Sequence, residues 1–397
     1  CAKATNSGIL GGKNNTIENE GKYSFIGTGQ NNISLSAHGA VVGGFTNTSS
    51  GSGAFVGAGL CNTASGLASN VTGGLCNTAS GDYAVVGGGL RNSTCKNFTF
   101  VGAGSANTIS DNGAYSNIIG GCANRALSAY SFIGGGHCNT TCGQLAFIGG
   151  GTGNIASKQN ATVINGGFYG DYGSGIIHSG NVACGFKSTV INGGNYGRGV
   201  NQARGDYSTV VNGVGAIACG ERSTILNGYG ASIQVAGYMG LIGGGYGNTI
   251  CGRMGVVLNG YGNNTKGCCG AIINGYNNII SGIALCGRHG FIGNGSQNNI
   301  QSGAVVSSIL NGVQNTICTA GTYSTIIGGK YNNVKHSNTF VLGNNITTNA
   351  TNTTFVNNLS VTGKINNAVG IPGTCLVCNT DSLMLHFCNG ILVCTTT

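Results

Sequence analysis

About every sixteen residues the chain returns to one phrase: a small residue, two adjacent apolar residues, then Gly or Asn and usually Gly again. It runs from Gly8-Ile9-Leu10-Gly11 through Ser24-Phe25-Ile26-Gly27, Ala40-Val41-Val42-Gly43, Ala54-Phe55-Val56-Gly57 and Thr224-Ile225-Leu226-Asn227 to Phe340-Val341-Leu342-Gly343. Self-similarity at a short fixed period marks a quasi-one-dimensional solenoid, in which each repeat buries its apolar face only against its neighbours. The phrase predicts an all-β fold, a parallel β-solenoid of about 22 coils of about 16 residues. Stacked at the ~4.8 Å spacing of neighbouring strands, such a coil makes a rod of roughly 100 Å.

Composition removes most alternatives. Of 397 residues 78 are Gly and one is Pro, Trp is absent, and 6% are charged. Collagen needs Gly at every third position with abundant Pro, and neither holds. Disorder fits poorly with 40% hydrophobic residues that recur in register. Gly and Asn interrupt nearly every stretch long enough for three helical turns, which leaves β-structure with tight turns. The eight carboxylates (Glu18, Glu20, Asp82, Asp111, Asp171, Asp206, Glu221 and Asp381) are scattered, so acid–base pairs lack candidates and neither an enzyme nor a cofactor is expected. The formal charge of +9 contains no Lys/Arg run, which argues against a nucleic-acid partner. No segment approaches the roughly 20 apolar residues of a membrane-spanning helix. The chain begins at Cys1, which reads as a processed or trimmed start.

The repeat has further slots. Taking the second apolar residue of each phrase as an anchor gives Leu10, Ile26, Val42, Val56, Thr72 and so on to Leu342, with an irregular coil near Ile177. A turn carrying Asn follows: Asn62, Asn77, Asn92, Asn107, Asn124, Asn139 and Asn154, then Asn248, Asn278, Asn299, Asn315 and Asn333. Asn tolerates left-handed backbone and caps turns, so this column is expected to form a hydrogen-bonded ladder. Ser or Cys before Gly comes next, as in Ser65-Gly66, Cys142-Gly143, Cys184-Gly185, Cys219-Gly220 and Cys251-Gly252, which reads as a cramped corner. Adjacent strand residues point to opposite faces, so each apolar doublet sends one side chain inward and one outward. Some twenty outward Val, Ile, Leu or Phe residues predict an apolar stripe that identical chains cover, giving a closed oligomer.

In Ala84-Val85-Val86-Gly87 and Ser131-Phe132-Ile133-Gly134, followed by a turn and Ser-Gly or Ala-Gly, the chain resembles the head repeats of YadA-like trimeric autotransporter adhesins. It is similar also to β-roll shafts of phage and giant-virus fibres. The resemblance covers residues 8 to 343. It implies a left-handed parallel β-roll, a parallel homotrimer, and surface attachment. Three departures stand against it: longer repeats, 18 cysteines, and neither a heptad stalk nor the strands of an anchor barrel. They shift the expectation from a bacterial autotransporter toward a viral or extracellular fibre subunit.

Equivalent Cα atoms one coil apart lie inside the ~4.4–6.8 Å disulfide window. Cys61 and Cys76 share one slot, and Cys251, Cys269 and Cys286 fall on successive coils; these rungs are read either as bridges or as thiols filling a corner. So many cysteines suit an oxidising or extracellular setting. The repeat domain is taken as 1–343, an Asn/Thr-rich connector and exit strand as 344–371, and a Cys-rich β module as 372–397. Three short apolar runs in that module look like an antiparallel cap. Its Cys375, Cys378, Cys388 and Cys394 are read as disulfide-forming, with zinc as the weaker alternative because the second pair is spaced by five residues. With Cys1 they are also candidates for joining subunits end to end.

Longer excursions at about 160–210 carry Phe168, Tyr169, Tyr172, Tyr196 and Arg198 on Gly-rich loops, which suits a glycan or protein receptor surface or packing against a neighbouring coil or chain. Asn-x-Ser/Thr triplets such as Asn47-Thr48-Ser49 and Asn352-Thr353-Thr354 are glycan acceptors in a secretory setting, at a frequency that chance supplies in so Asn-rich a chain. The functional expectation is a rigid fibre or adhesin subunit on a cell or virion surface. A self-polymerising extracellular filament is the alternative. An ice-binding solenoid is a minor one, hinted at by Thr162, Thr189, Thr209 and Thr224.

Overall fold

Because Gly or Asn closes each apolar stretch after a few residues, the coil strands are only two to four residues long, and corners make up most of each turn. A computed structural model describes residues 1–166, 180–193, 199–282 and 289–357, with the backbone of 375–377, 384–388 and 391–395. Among these residues there is no helix. The chain forms two compact units, Cys1–Asn248 and Thr249–Thr397. The same coil repeats in both, so the division falls inside the expected 1–343 repeat region. Coils that touch only their neighbours provide no long-range contacts to prevent such a division.

One coil shows the plan. Asn70–Val71 lies on the first face and pairs in parallel with Phe55–Val56 and Val85–Val86. Leu75 makes a single-residue bridge to Leu60 and Leu90 at a second corner. Thr78–Ala79 lies on the second face, paired with Thr63–Ala64 and Ser93–Thr94. About 22 such coils run through the chain, all parallel. The expected solenoid is present.

The core is a single file of side chains per face. On the first face Ile26, Val41, Val56, Val71 and Val86 are fully buried; on the second, Ile17, Ser34, Ser49, Ala64 and Ala79. Some second-face Ile residues fix a glycine by contact: a Cβ on Gly21, Gly113, Gly255 or Gly321 would stand 2.5–2.7 Å from the Cγ2 of Ile17, Ile109, Ile250 or Ile317. An extra methyl group in such a filled core costs about 1–3 kcal/mol.

The Asn column is a buried ladder. Asn77 Nδ2 donates to Gly73 O at 2.9 Å within its own turn and to Gly89 O at 2.9 Å in the next coil. Its Oδ1 accepts the backbone N–H of Asn92 at 2.9 Å. The pattern holds from Asn15 to Asn201 and again from Asn263 to Asn332, with the side chains fully or almost fully buried. In the Asn-Asn doublets the ladder uses Asn298 and Asn332, not the expected Asn299 and Asn333. It lapses at Ala216 and Ala231, where the corner is rebuilt around an extra parallel pair, Gly213–Val214 with Gly228–Tyr229.

The sequence leaves open which member of each apolar doublet faces inward, and the structure decides it. Val42 is 47% exposed while Val41 is buried, and Leu258 is exposed while Val257 is buried, so the inward residue is the first of the doublet in these coils and the second in Phe25-Ile26 and Phe132-Ile133. Outward residues therefore fall in two columns flanking the buried one. Neither is a continuous apolar stripe: Asn70, Asn117, Thr162, Thr189 and Ser308 share the first with the phenylalanines. Phe rings instead lie along the strand toward the Gly two residues on, with Phe55 Cε1 3.4 Å from where a Gly57 Cβ would stand. Ile177, read as an irregular coil, lies outside the described residues; among those described, Thr162–Ile164 pairs directly with Thr189–Ile191. Thr354–Val356 adds a parallel rung to Phe340–Leu342, so the coil continues past residue 343 where a departing strand was expected. The C-terminal strands Cys375–Val377, Met384–Cys388 and Ile391–Thr395 form an antiparallel sheet.

Candidate functional site

The most distinctive surface is the corner that precedes the first face, where backbone of left-handed φ carries large side chains. Tyr23, His38, Ala68, Tyr83, Phe98, Tyr115, Tyr130, Leu145, Lys187, Tyr207 and Arg222 all have φ between 51° and 60° there. For a non-Gly residue this conformation costs roughly 1–2 kcal/mol. Hydrogen bonds to the preceding coil hold it, as from Tyr83 N to Leu67 O at 2.7 Å and Phe98 N to Asp82 O at 2.9 Å.

Successive coils set these rings in register. Tyr83, Phe98, Tyr115 and Tyr130 form a continuous stack with centroids 5.0–5.1 Å apart and planes within 7° of parallel. Each ring is nearly half exposed, but Phe98 and Tyr115 have both faces taken by stacked neighbours and Tyr83 and Tyr130 have one, so mainly ring edges and the tyrosine hydroxyls meet solvent. Such a stack offers hydrogen bonds rather than a platform for a sugar ring. Further along, cations replace rings. Lys187 Nζ lies 5.2 Å from the Phe186 centroid and 5.5 Å from that of Tyr207. Arg222 Cζ sits 5.8 Å from Tyr207 and from Tyr238, and its Nη1 donates to Tyr238 Oη at 2.7 Å. Sequence reasoning missed this column because residue types are mixed in it; only the spacing of Tyr83, Phe98, Tyr115 and Tyr130, 15, 17 and 15 residues, carries a hint.

The aromatic and cationic residues nominated from sequence, Phe168, Tyr169, Tyr172, Tyr196 and Arg198, lie outside the described residues, as do Cys286 and Cys378. The Thr set is in register, Thr162 with Thr189, Thr209 and Thr224, each half-buried on the first face. A second hydroxyl column, Thr48, Thr63, Thr78, Ser93 and Thr108, stands on the second face. At the bridge corner Phe45, Leu60, Leu75 and Leu90 form an exposed apolar run over four consecutive coils.

The cysteines divide by slot. Cys61 and Cys76 occupy equivalent left-handed positions one coil apart and are free thiols. In-register residues have parallel Cα–Cβ bonds, so their Cβ atoms stand about one coil rise, ~4.8 Å, apart, beyond the ~3.5–4.5 Å of a relaxed disulfide. Cys251 and Cys269, both free, are not rungs of one ladder. Cys251 N bonds Thr265 O after the second face, whereas Cys269 N bonds Arg253 O at the left-handed corner. The Ser/Cys slot is also less cramped than expected, since Leu127, Arg204 and Lys266 fill it elsewhere. The tight position is the Gly that follows, where a Cβ on Gly66 would meet Gly81 O at 2.0 Å. Cys1 is an exposed free thiol. In the C-terminal sheet the backbone register sets Cys375 opposite His386, Cys394 opposite Leu385 and Cys388 opposite Ile391. Among the described residues no group of three or more His, Cys, Asp or Glu side chains is placed to hold a metal ion.

Burial pushes the thiols of Cys142, Cys184 and Cys251 up, against the opposing pull of Arg125, Arg204 and Lys266. A raised value leaves less thiolate at a given pH, and the thiolate is the nucleophile. At pH 8 iodoacetamide is therefore expected to label these three several-fold more slowly in the folded than in the unfolded chain, the gap narrowing as pH rises past about 9. Peptide mass spectrometry reads the rates; equal rates at pH 8 would contradict the assignment.

No protein-family model matches this sequence, and no curated protein matches it. The fold and the surfaces above are therefore what bears on function.

Proposed function

We propose that the chain is a structural fibre or adhesin subunit that holds a binding surface away from a cell or virion. The observation that carries this reading is the use of coil after coil for stacking: among the described residues the buried Asn, with its bond to the Asn of the next coil, recurs in all but the Ala216 and Ala231 coils. The β-solenoid is compatible with such a role. Described carboxylates also serve structure. Asp82 and Asp206 accept the backbone N–H groups of Leu67 and Phe186 at 2.9 and 2.8 Å, and Glu18 pairs with Lys3 at 2.8 Å, which supports a non-enzymatic role.

The chain's partner in this reading is itself, as a homotrimer of the kind the YadA-like resemblance implies, with a host-surface glycan or protein as the second partner. The Phe45, Leu60, Leu75 and Leu90 run supports self-association, because a contiguous apolar patch on a soluble chain is usually covered. No helix among the described residues is long and apolar enough to cross a membrane.

Negative-stain microscopy with light scattering on the purified chain tests this. Discrete rods of about 100 Å at three times the chain mass are expected for a stack at the ~4.8 Å strand spacing. A stable monomer would remove the trimer, and indefinite fibres would replace the discrete subunit with a self-polymerising filament.

A further inference from the structure

We propose that five Asn-x-Ser/Thr acceptors of this chain are mutually exclusive with its fold, so that the protein folds only where N-linked glycan transfer does not reach it. The triplets are Asn32-Ile33-Ser34, Asn47-Thr48-Ser49, Asn92-Ser93-Thr94, Asn139-Thr140-Thr141 and Asn263-Asn264-Thr265. They arise from the coil itself: the ladder Asn, an outward residue, then a small inward hydroxyl residue of the second face. All five asparagines and all five hydroxyl residues are 0% exposed.

The chemistry of transfer collides with the ladder. Moving an oligosaccharide from a lipid-linked diphosphate donor breaks the donor's C1–O bond, forms a C1–Nδ2 bond, and releases the lipid diphosphate and one Nδ2 proton. The modified amide keeps one N–H. Each ladder amide uses two: Asn47 Nδ2 donates to Gly43 O and Gly59 O, both at 2.9 Å, and Asn139 Nδ2 to Gly135 O at 2.8 Å and Gly151 O at 2.9 Å. Asn263 does the same with Asn259 O at 3.1 Å and Gly275 O at 2.9 Å. A bulky glycan also has no exit from a fully buried position. Because coils are stabilised only by their neighbours, one blocked coil interrupts the stack. Asn14, Asn294 and Asn349, also in such triplets, stand exposed and accept a glycan without touching the ladder.

This inference rests on the ladder and not on the adhesive reading, and it restricts how such a subunit reaches a surface: by way of a cell that lacks the transferase, or on a particle assembled in the cytosol. The test expresses the full chain in bacterial cytosol and, behind a secretory leader, in a glycosylating eukaryotic cell. A companion carries Ser34→Ala, Ser49→Ala, Thr94→Ala, Thr141→Ala and Thr265→Ala, which removes the acceptors but keeps every Asn. Ala64, Ala79, Ala126 and Ala156 occupy that inward column natively. Both chains should fold in the cytosol by circular dichroism and protease resistance. In the secretory cell the unsubstituted chain should yield at least tenfold less folded protein than the companion, with glycans on the five asparagines. Blocking synthesis of the lipid-linked donor should rescue it, a readout that does not depend on the substituted chain folding. Folded secreted chain that bears a glycan on any of the five, folded chain that leaves all five unmodified, or failure of the donor block to rescue would each overturn the proposal.

Discussion

Gly89→Ala is expected to disrupt the coil it occupies, whereas Gly88→Ala, one residue away, is expected to be nearly silent. Gly89 has φ of 92°, and an added Cβ would lie 2.1 Å from Gly104 O, 2.7 Å from Asn92 Nδ2 and 2.8 Å from Gly104 N. The nearest atom to a Cβ on Gly88 is Gly73 O at 4.0 Å. The first substitution combines left-handed strain with an overlap against backbone that only a local opening of the stack relieves, together about 3–5 kcal/mol. Amide exchange in the coils on either side should then accelerate by about 10²-fold or more, since the cost is local opening free energy. Equal exchange in the two variants would show that the coil rise is softer than the ladder geometry implies.

Asn77→Asp should be the most damaging isosteric change in the molecule, and its effect should depend on pH. The carboxylate retains the acceptor for Asn92 N but loses both donations, setting a buried charge against the carbonyl oxygens of Gly73 and Gly89. Leaving buried groups unpaired costs about 1–3 kcal/mol each, and the charge adds to that. Burial among carbonyls favours the protonated acid, so the folded-state value rises above the ordinary ~3.9. The sign follows. The penalty is smallest below that ordinary value, where the acid is protonated in both states, and grows as pH rises from there through the folded value. Asn77→Ala should instead show a pH-independent loss of about 3 kcal/mol, from unpaired backbone groups alone. Thermal melts of both variants at pH 4 and pH 8 separate the two cases; matching profiles would mean that water enters the ladder.

Much of this fold was legible because each coil is a near copy of the last. The period and the Asn column from Asn62 to Asn154 follow directly from spacing. The sequence is ambiguous by one residue where two neighbours are chemically alike: Asn298 beside Asn299 and Asn332 beside Asn333, which the expectation set one position late, and Val41 beside Val42, which it left open. A strand of two residues has no internal alternation to decide which of such a pair faces inward, so corner geometry decides it. Cys251 and Cys269 read as one column because Cys-Gly occurs at two different corners, with nothing local to tell a turn after the second face from one before the first. The stacked ring corner was hardest to see. Its shared property is a backbone angle, and Tyr83, Phe98, Lys187 and Arg222 have no side-chain chemistry in common that would reveal it.

The corner between the left-handed Gly, such as Gly89, and the ladder Asn has a practical use. Asn181 N reaches back to Asn154 Oδ1 at 2.9 Å although 27 positions separate them, and Asn201 N reaches Asn181 Oδ1 at 3.3 Å across 20, where 15 is usual. Extra sequence entered twice at this one place, after Gly166 and after Gly193, and the ladder resumed on the far side in register. Loop closure explains the tolerance, since doubling an insertion's length costs only about 0.6 kcal/mol. The molecule therefore works as a display scaffold with a fixed port, into which a foreign epitope or peptide tag can be spliced at chosen heights while the stack stays whole.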